Sequence, residues 1–173
     1  LYLDKSERKR LLDATEPEAV PFVRALCLLP LRPGALAKLT AADFDNRTAT
    51  VTIGTDKNGR PRQITVPQSI GSFLGEQAKD KAPAMPLFAR RNGLPWNKDA
   101  WKRPIKDAAV LANLPDGTSA YTLRHSVITD LVRDSLPVLT VAQLSGTSVA
   151  MIERHYGHLV RDDAEKALAR LMF

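Results

Sequence analysis

Two short alternating, β-branched runs set the limits on what this chain can fold into. Thr48-Ala49-Thr50-Val51-Thr52-Ile53-Gly54 and Arg62-Gln63-Ile64-Thr65-Val66-Pro67 flank Asn58-Gly59, a dipeptide suited to positive φ at both central positions of a two-residue turn. They predict a β-hairpin with Lys57 at its tip. The other periodic segments carry the helical repeat. The expected fold class is therefore α+β, mainly α-helical with a small antiparallel β-sheet built on the hairpin that carries Lys57. A length of 173 residues fits one domain, residues 1–173.

Helices are expected over 3–15, 16–29, 33–39, 68–79, 98–113, 122–134, 137–144, 148–156 and 161–172. Ser6 reads as the N-cap of the first, with Lys5, Arg8, Lys9 and Arg10 in solvent. Pro30 stops the second, and Pro33 opens the third with Arg32 directly before it. Asn97 caps the fifth, whose inner face is Trp101, Ile105, Ala108 and Ala112 while Lys98, Lys102 and Lys106 recur every four residues on another face. Gly157 reads as a helix-ending glycine just after Tyr156.

Composition narrows the function classes. Hydrophobic residues at 44% and charged residues at 25% exclude a disordered chain, a collagen-like fibre and a coiled coil. No run of 18 apolar residues offers a membrane span. Cys27 is the single cysteine, in an apolar helix with no base beside it. It excludes an intrachain disulfide and a thiolate zinc site, and it fits a reducing compartment. The chain opens Leu1-Tyr2-Leu3-Asp4 without an initiator Met, so it is read as a piece of a longer protein. A net charge of +6 makes a polyanion the leading partner class.

Phosphate is the anion to which several features point. Arg32 sits at a helix start, Arg124 and His125 fall in the expected first turn of another helix, and Thr147-Ser148 opens a third. A cation at the positive end of a helix dipole is tolerated best beside an anion. Arg32 has a bland alternative as the partner of Asp43 or Asp45, and Arg124 as a surface arginine. Tyr156, between His155 and Gly157, is read either as a partly buried core residue or as a nucleophile stabilised by arginines. Lys57 is either a solvated turn residue or a proton donor at a nucleic acid backbone. His125, His155 and His158 lack a completing acid or cysteine, so no metal is expected. Walker and dinucleotide glycine loops are missing, so no nucleotide cofactor is expected either.

In order, Leu31-Arg32-Pro33-Gly34-Ala35-Leu36, a lysine on a hairpin, Tyr121-Thr122-Leu123-Arg124-His125-Ser126, Leu144-Ser145-Gly146-Thr147-Ser148 and Met151-Ile152-Glu153-Arg154-His155-Tyr156-Gly157-His158 resemble the catalytic domain of the tyrosine recombinases, the phage integrase family. The resemblance runs from about residue 6 to 173. It implies that Tyr156 attacks a DNA phosphodiester to give a 3′-phosphotyrosyl and a free 5′-hydroxyl, without metal or ATP. Arg32 and Arg124 would hold the non-bridging oxygens, and Lys57 would protonate the leaving oxygen.

Three positions depart from the family pattern. Tyr121 stands where a histidine is usual and is taken as a catalytic-site residue in its place, although a phenol is a poor base at neutral pH. Thr147 replaces a histidine or tryptophan and is likewise taken as a catalytic-site residue, since it keeps a hydroxyl donor for a phosphate oxygen. Ala35 replaces an acid. His125 is read as a structural partner, with a base or a phosphate contact as the alternatives. Lys98, Lys102 and Lys106 are expected to follow DNA phosphates.

The resemblance further implies double-stranded DNA as partner, a homo-tetramer on DNA, and a monomer in isolation. A separate N-terminal core-binding domain is expected to lie outside this chain, with the charged first helix ending the linker to it. The segment 164–173 is the candidate for exchange between neighbours, and a cytoplasmic, nucleoid-associated location is expected. Two other readings keep the fold: a catalytically silent DNA-binding or accessory domain, and relaxation of supercoils in the manner of type IB topoisomerases.

Overall fold

The computed structural model describes residues 1–54 and 61–171, with the side chains of 160–167 excepted. Lys57 and the Asn58-Gly59 turn lie outside the described residues. Eight helices and three strands are described: α1 (Lys5–Ala14), α2 (Val20–Leu28), α3 (Pro33–Ala37), β1 (Phe44–Asp45), β2 (Thr50–Ile53), β3 (Arg62–Thr65), α4 (Gln68–Ala78), α5 (Lys98–Leu111), α6 (Ala120–Arg133), α7 (Val138–Ser145) and α8 (Val149–Ala169). The α+β expectation holds. No described helix is long and apolar enough to cross a membrane.

The strands form one antiparallel sheet in the order β1-β2-β3, with Val51 opposite Ile64 and Ile53 opposite Arg62. Alternation turns Val51, Ile53 and Ile64 toward the core. β1 was not expected from sequence, because two residues are too few to show a period. Phe22 is fully buried at the centre of the helical layer, stacked on Trp96 and Trp101 with ring centroids 5.5 Å away in each case.

Four local expectations are corrected. α1 is capped by Asp4, not Ser6, through a capping box with Glu7. Arg8 is not in solvent; it is buried and ion-paired with Asp130 of α6. α6 begins two residues early because Ser119, in a capping box with Thr122, takes the N-cap, which places Arg124 and His125 in its second turn. α8 runs through Gly157 to Ala169, so Gly157 does not end the helix and the expected separate helix over 161–172 is part of α8.

The Arg8 pair ties α1 to the helix that carries Arg124 and His125. Asp130 also accepts the Tyr2 hydroxyl at 2.8 Å, and the Leu3 amide donates to Ser126 Oγ at 2.8 Å. Removing Asp130 leaves the buried Arg8 guanidinium without its counter-charge. Asp130→Ala is expected to lower stability by about 3 kcal/mol, read as a lower urea midpoint at unchanged slope.

Candidate active site

The site is assembled where three chain segments end close together. Pro30 interrupts the chain after α2, so Arg32 becomes the N-cap of α3 with Pro33 following it, as its sequence position predicts. α7 stops at Gly146, which takes the left-handed conformation at φ 65°, where a side chain is disfavoured. Ser148 then opens α8 by accepting the Met151 amide at 3.2 Å.

Arg124 binds these segments together. It is 8% exposed, which overturns the surface-arginine alternative. Its Nη1 donates to the Pro30 carbonyl and, at 3.0 Å, to the Ser145 carbonyl in the last turn of α7. The four C-terminal carbonyls of a helix lack intrahelical partners and carry the negative end of its dipole, so a guanidinium is well suited to them. Burial, with Arg32 and then Arg62 nearby, pushes Arg124 down to about 10, while Tyr156 and Tyr121 act the other way. Arg124 is therefore still charged at neutral pH.

Tyr156 lies in the second turn of α8, one turn after Ile152. Its ring packs in a buried cluster with Ile128, Val132, Val141 and Ala142, and it is 7% exposed. It is not in a last helical turn, since α8 continues past it. The core reading of this residue holds for the ring, while the hydroxyl lies 2.8 Å from His125 Nδ1. The two rings also stack, with centroids 5.1 Å apart and planes 29° from parallel. Burial raises the phenol above its ordinary range and Arg124 opposes that. Burial lowers His125, with smaller contributions from the N-terminal ammonium and His155. A neutral imidazole protonated on Nε2 presents Nδ1 as acceptor for the phenol O–H.

Arg32 is exposed and close enough to Arg124 and Arg62 for its charge to act on both. Its suggested acidic partners are engaged elsewhere: Asp43 accepts the Thr40 amide and hydroxyl, and Asp45 accepts the amides of Arg47 and Thr48. Among the described residues no ion pair forms to Arg32. Thr147 is half-buried between α7 and α8, its amide donating to the Ala142 carbonyl at 3.1 Å. Tyr121 is 61% exposed. It borders a cleft of about 400 Å³ on α5 that is lined by Lys98, Lys102 and Lys106 over a floor of Trp101 and Ile105. Arg32, Arg124, Tyr156, His125 and Thr147 thus belong to one region, and the three lysines to a separate groove that Tyr121 adjoins. Cys27 is buried, which raises its thiol to about 12, as expected for an inert cysteine.

Sequence reasoning missed one charged residue. Arg62 donates from Nη1 to the Gln143 carbonyl of α7 at 3.3 Å. Burial and then Arg32 lower its ordinary value. The available signal was parity: Arg62 shares the core-facing face of β3 with Ile64, an unusual place for an arginine.

The sequence profile of the phage integrase family matches residues 2–162. A tyrosine recombinase XerC of Rhodospirillum centenum is 25% identical over 143 residues, covering 80% of this chain and 41% of its own length. A tyrosine recombinase XerD of Staphylococcus saprophyticus is 29% identical over 80 residues, covering 46% of this chain and 27% of its own length. The chain therefore spans less than half of these curated relatives. In fold it is similar to the Tn1549 transposon integrase in complex with transposon right end DNA, at TM-score 0.83 and 18% identity over 99% of this chain and 66% of that one. It is also similar to the catalytic domain of bacteriophage HP1 integrase, at TM-score 0.71 and 19% identity over 97% and 93% of the two chains.

Proposed function

The chain belongs to the phage integrase family, and from that premise we propose that it is the catalytic domain of a site-specific DNA recombinase that cuts and rejoins strands through Tyr156. The observation that carries the reading is the Tyr156 hydroxyl, held 2.8 Å from an imidazole nitrogen beside a buried arginine. The relatives supply its context: they are named tyrosine recombinases, and the Tn1549 neighbour is in complex with DNA.

In this mechanism the Tyr156 oxygen attacks the phosphorus of one strand. The new O–P bond forms as the bond from phosphorus to the 5′-oxygen breaks, and the strand keeps a 3′-phosphotyrosyl end. The phenol proton passes to His125 Nδ1. Arg32 and Arg124 hold the non-bridging oxygens, where negative charge grows in the transition state. The Thr147 hydroxyl donates to the same group, and Lys57 gives a proton to the leaving 5′-oxygen. Attack of another strand's 5′-hydroxyl on the phosphotyrosyl reverses these steps and frees Tyr156. Tyr121, at the edge of the groove, contacts the DNA backbone together with Lys98, Lys102 and Lys106. Those contacts make affinity fall with salt without selecting a sequence.

The proposed partner is double-stranded DNA, bound by a tetramer of the whole protein at a cytoplasmic, nucleoid-associated site. The core-binding function belongs to a separate N-terminal domain in this reading, and 164–173 is the segment exchanged between neighbours. Leu168 and Leu171, both largely exposed, support that last point.

The test uses a library of nicked duplexes randomised around the nick, incubated with the protein in EDTA without ATP, then denatured in SDS. A covalent protein–DNA adduct is expected, and sequencing the trapped strands gives the preferred site. DNA binding without any adduct would favour the catalytically silent domain. An adduct that only relaxes supercoils and never joins two duplexes would favour topoisomerase-like action.

A further inference from the structure

Arg62 has no role in the chemistry described so far, yet its surroundings are those of a ligand-binding residue. β3 directs it to the same face as the buried Ile64. Its guanidinium lies against the backbone at Gly146: a Cβ built there would stand 1.7 Å from Arg62 Nη1 and 2.6 Å from Cζ. Only a residue without a side chain permits that approach. Nη1 reaches the Gln143 carbonyl, two residues before the Ser145 carbonyl that receives Arg124. Two guanidiniums therefore dock on one helix terminus.

Among the described residues, no carboxylate pairs with Arg62, Arg124 or Arg32. Arg62 and Arg124 each feel the charge of Arg32, and Arg124 also feels that of Arg62. Among the described residues, Arg62 Nε is shielded from solvent and has no hydrogen-bond partner. A buried donor without an acceptor is costly and calls for an explanation. Arginine presents five donors in a planar fork, and the Gln143 bond uses only one of them.

We infer that Arg62 is a third phosphate-binding arginine, contacting the same phosphodiester as Arg32 and Arg124 from the sheet side. This rests on the proposed function. Three arginines from three separate elements, α3, β3 and α6, would then surround one oxyanion, with the α7 terminus fixing the orientation of two of them. A phosphoryl group gains negative charge as its transition state forms, so a cation fixed in advance stabilises that state more than the ground state.

The experiment compares wild type with Arg62→Gln and Arg62→Lys on the duplex selected from the random library, in two forms. One carries a normal phosphodiester at the cleaved position, the other a neutral methylphosphonate. Arg62→Gln is expected to slow adduct formation roughly tenfold or more on the phosphodiester and distinctly less on the methylphosphonate, where one negative charge is already gone. Arg62→Lys is expected to fall between, since it keeps the charge but not the fork. An equal defect on both substrates would overturn the inference, because it would mark Arg62 as an anchor of β3 on α7.

A second readout needs no DNA: inorganic phosphate titrated into the protein and followed through the His125 and His155 imidazole signals. Arg62→Gln is expected to weaken that binding, and unchanged binding would overturn the inference. If wild type forms no adduct at all, the proposed function fails and the phosphate titration alone decides the role of Arg62.

Discussion

Tyr156→Phe is expected to abolish the covalent adduct while leaving the protein folded. The substitution removes one oxygen and nothing else. The ring keeps its place among Ile128, Val132, Val141 and Ala142 and its stack on His125, so packing is retained. The lost hydrogen bond costs about 1 kcal/mol, which corresponds to a melting temperature lower by roughly 2–4 °C for a chain of this size. Activity behaves differently, because no oxygen remains to form the O–P bond. An SDS gel should show loss of adduct to background beside a thermal melt close to wild type. Persistence of the adduct would place the nucleophile elsewhere, with exposed Tyr121 the first position to test.

The same pair sets a pH dependence. His125 lies below its ordinary value when folded, so between that lowered value and the ordinary range of about 6.5 the unfolded chain binds more protons than the native one. Stability therefore rises with pH up to the ordinary histidine range and is lost progressively as pH falls below it. At neutral pH the imidazole is already uncharged and able to accept the phenol proton. Acidification is expected to slow adduct formation as His125 protonates and Nδ1 stops accepting.

Much of this arrangement was legible because the relevant signals are local. Pro33 after Arg32, the alternating runs of β2 and β3, and Asn97 before α5 each act through residues one to four positions away. The departures arise where a distant partner decides. Arg8 reads as a solvent-facing helix residue until Asp130, 122 positions later, draws it inward. Gly157 reads as a stop, but a glycine inside a helix costs only about 1 kcal/mol relative to alanine. Ile152 and Tyr156 before it and the partly buried Leu159 after it pack against the same cluster, and that contact carries the helix through. Arg62 escaped notice because a charge next to a turn looks ordinary until β3 and the end of α7 are seen in contact.

The motifs gave the identities of Arg32, Arg124 and Tyr156, but not their division of labour. Arg32 is exposed and unpaired among the described residues, so it is available to a ligand. Arg124 is buried and already spends donors on two backbone carbonyls. In the proposed mechanism Arg32 meets the phosphate from the solvent side, while Arg124 holds it from within the frame that its two carbonyl bonds brace.

That dual use makes Arg124 the position where structure and activity should fail together. Arg124→Ala removes the donor to the Pro30 and Ser145 carbonyls and leaves a cavity between α6 and α7. A buried carbonyl without a partner costs about 1–3 kcal/mol, partly offset because a desolvated charge is also removed. A net loss of about 2–3 kcal/mol is expected, visible as a lower urea midpoint. Arg124→Lys separates the two roles. It restores the positive charge beside Tyr156, yet a single ammonium cannot serve two carbonyls and present a fork to phosphate as well. Stability should recover in part, while adduct formation stays roughly 10²–10³-fold below wild type, the usual cost of losing one transition-state donor. If Arg124→Lys cleaves at the wild-type rate, Arg124 is only a brace, and the transition-state charge must be held by Arg32 with another donor.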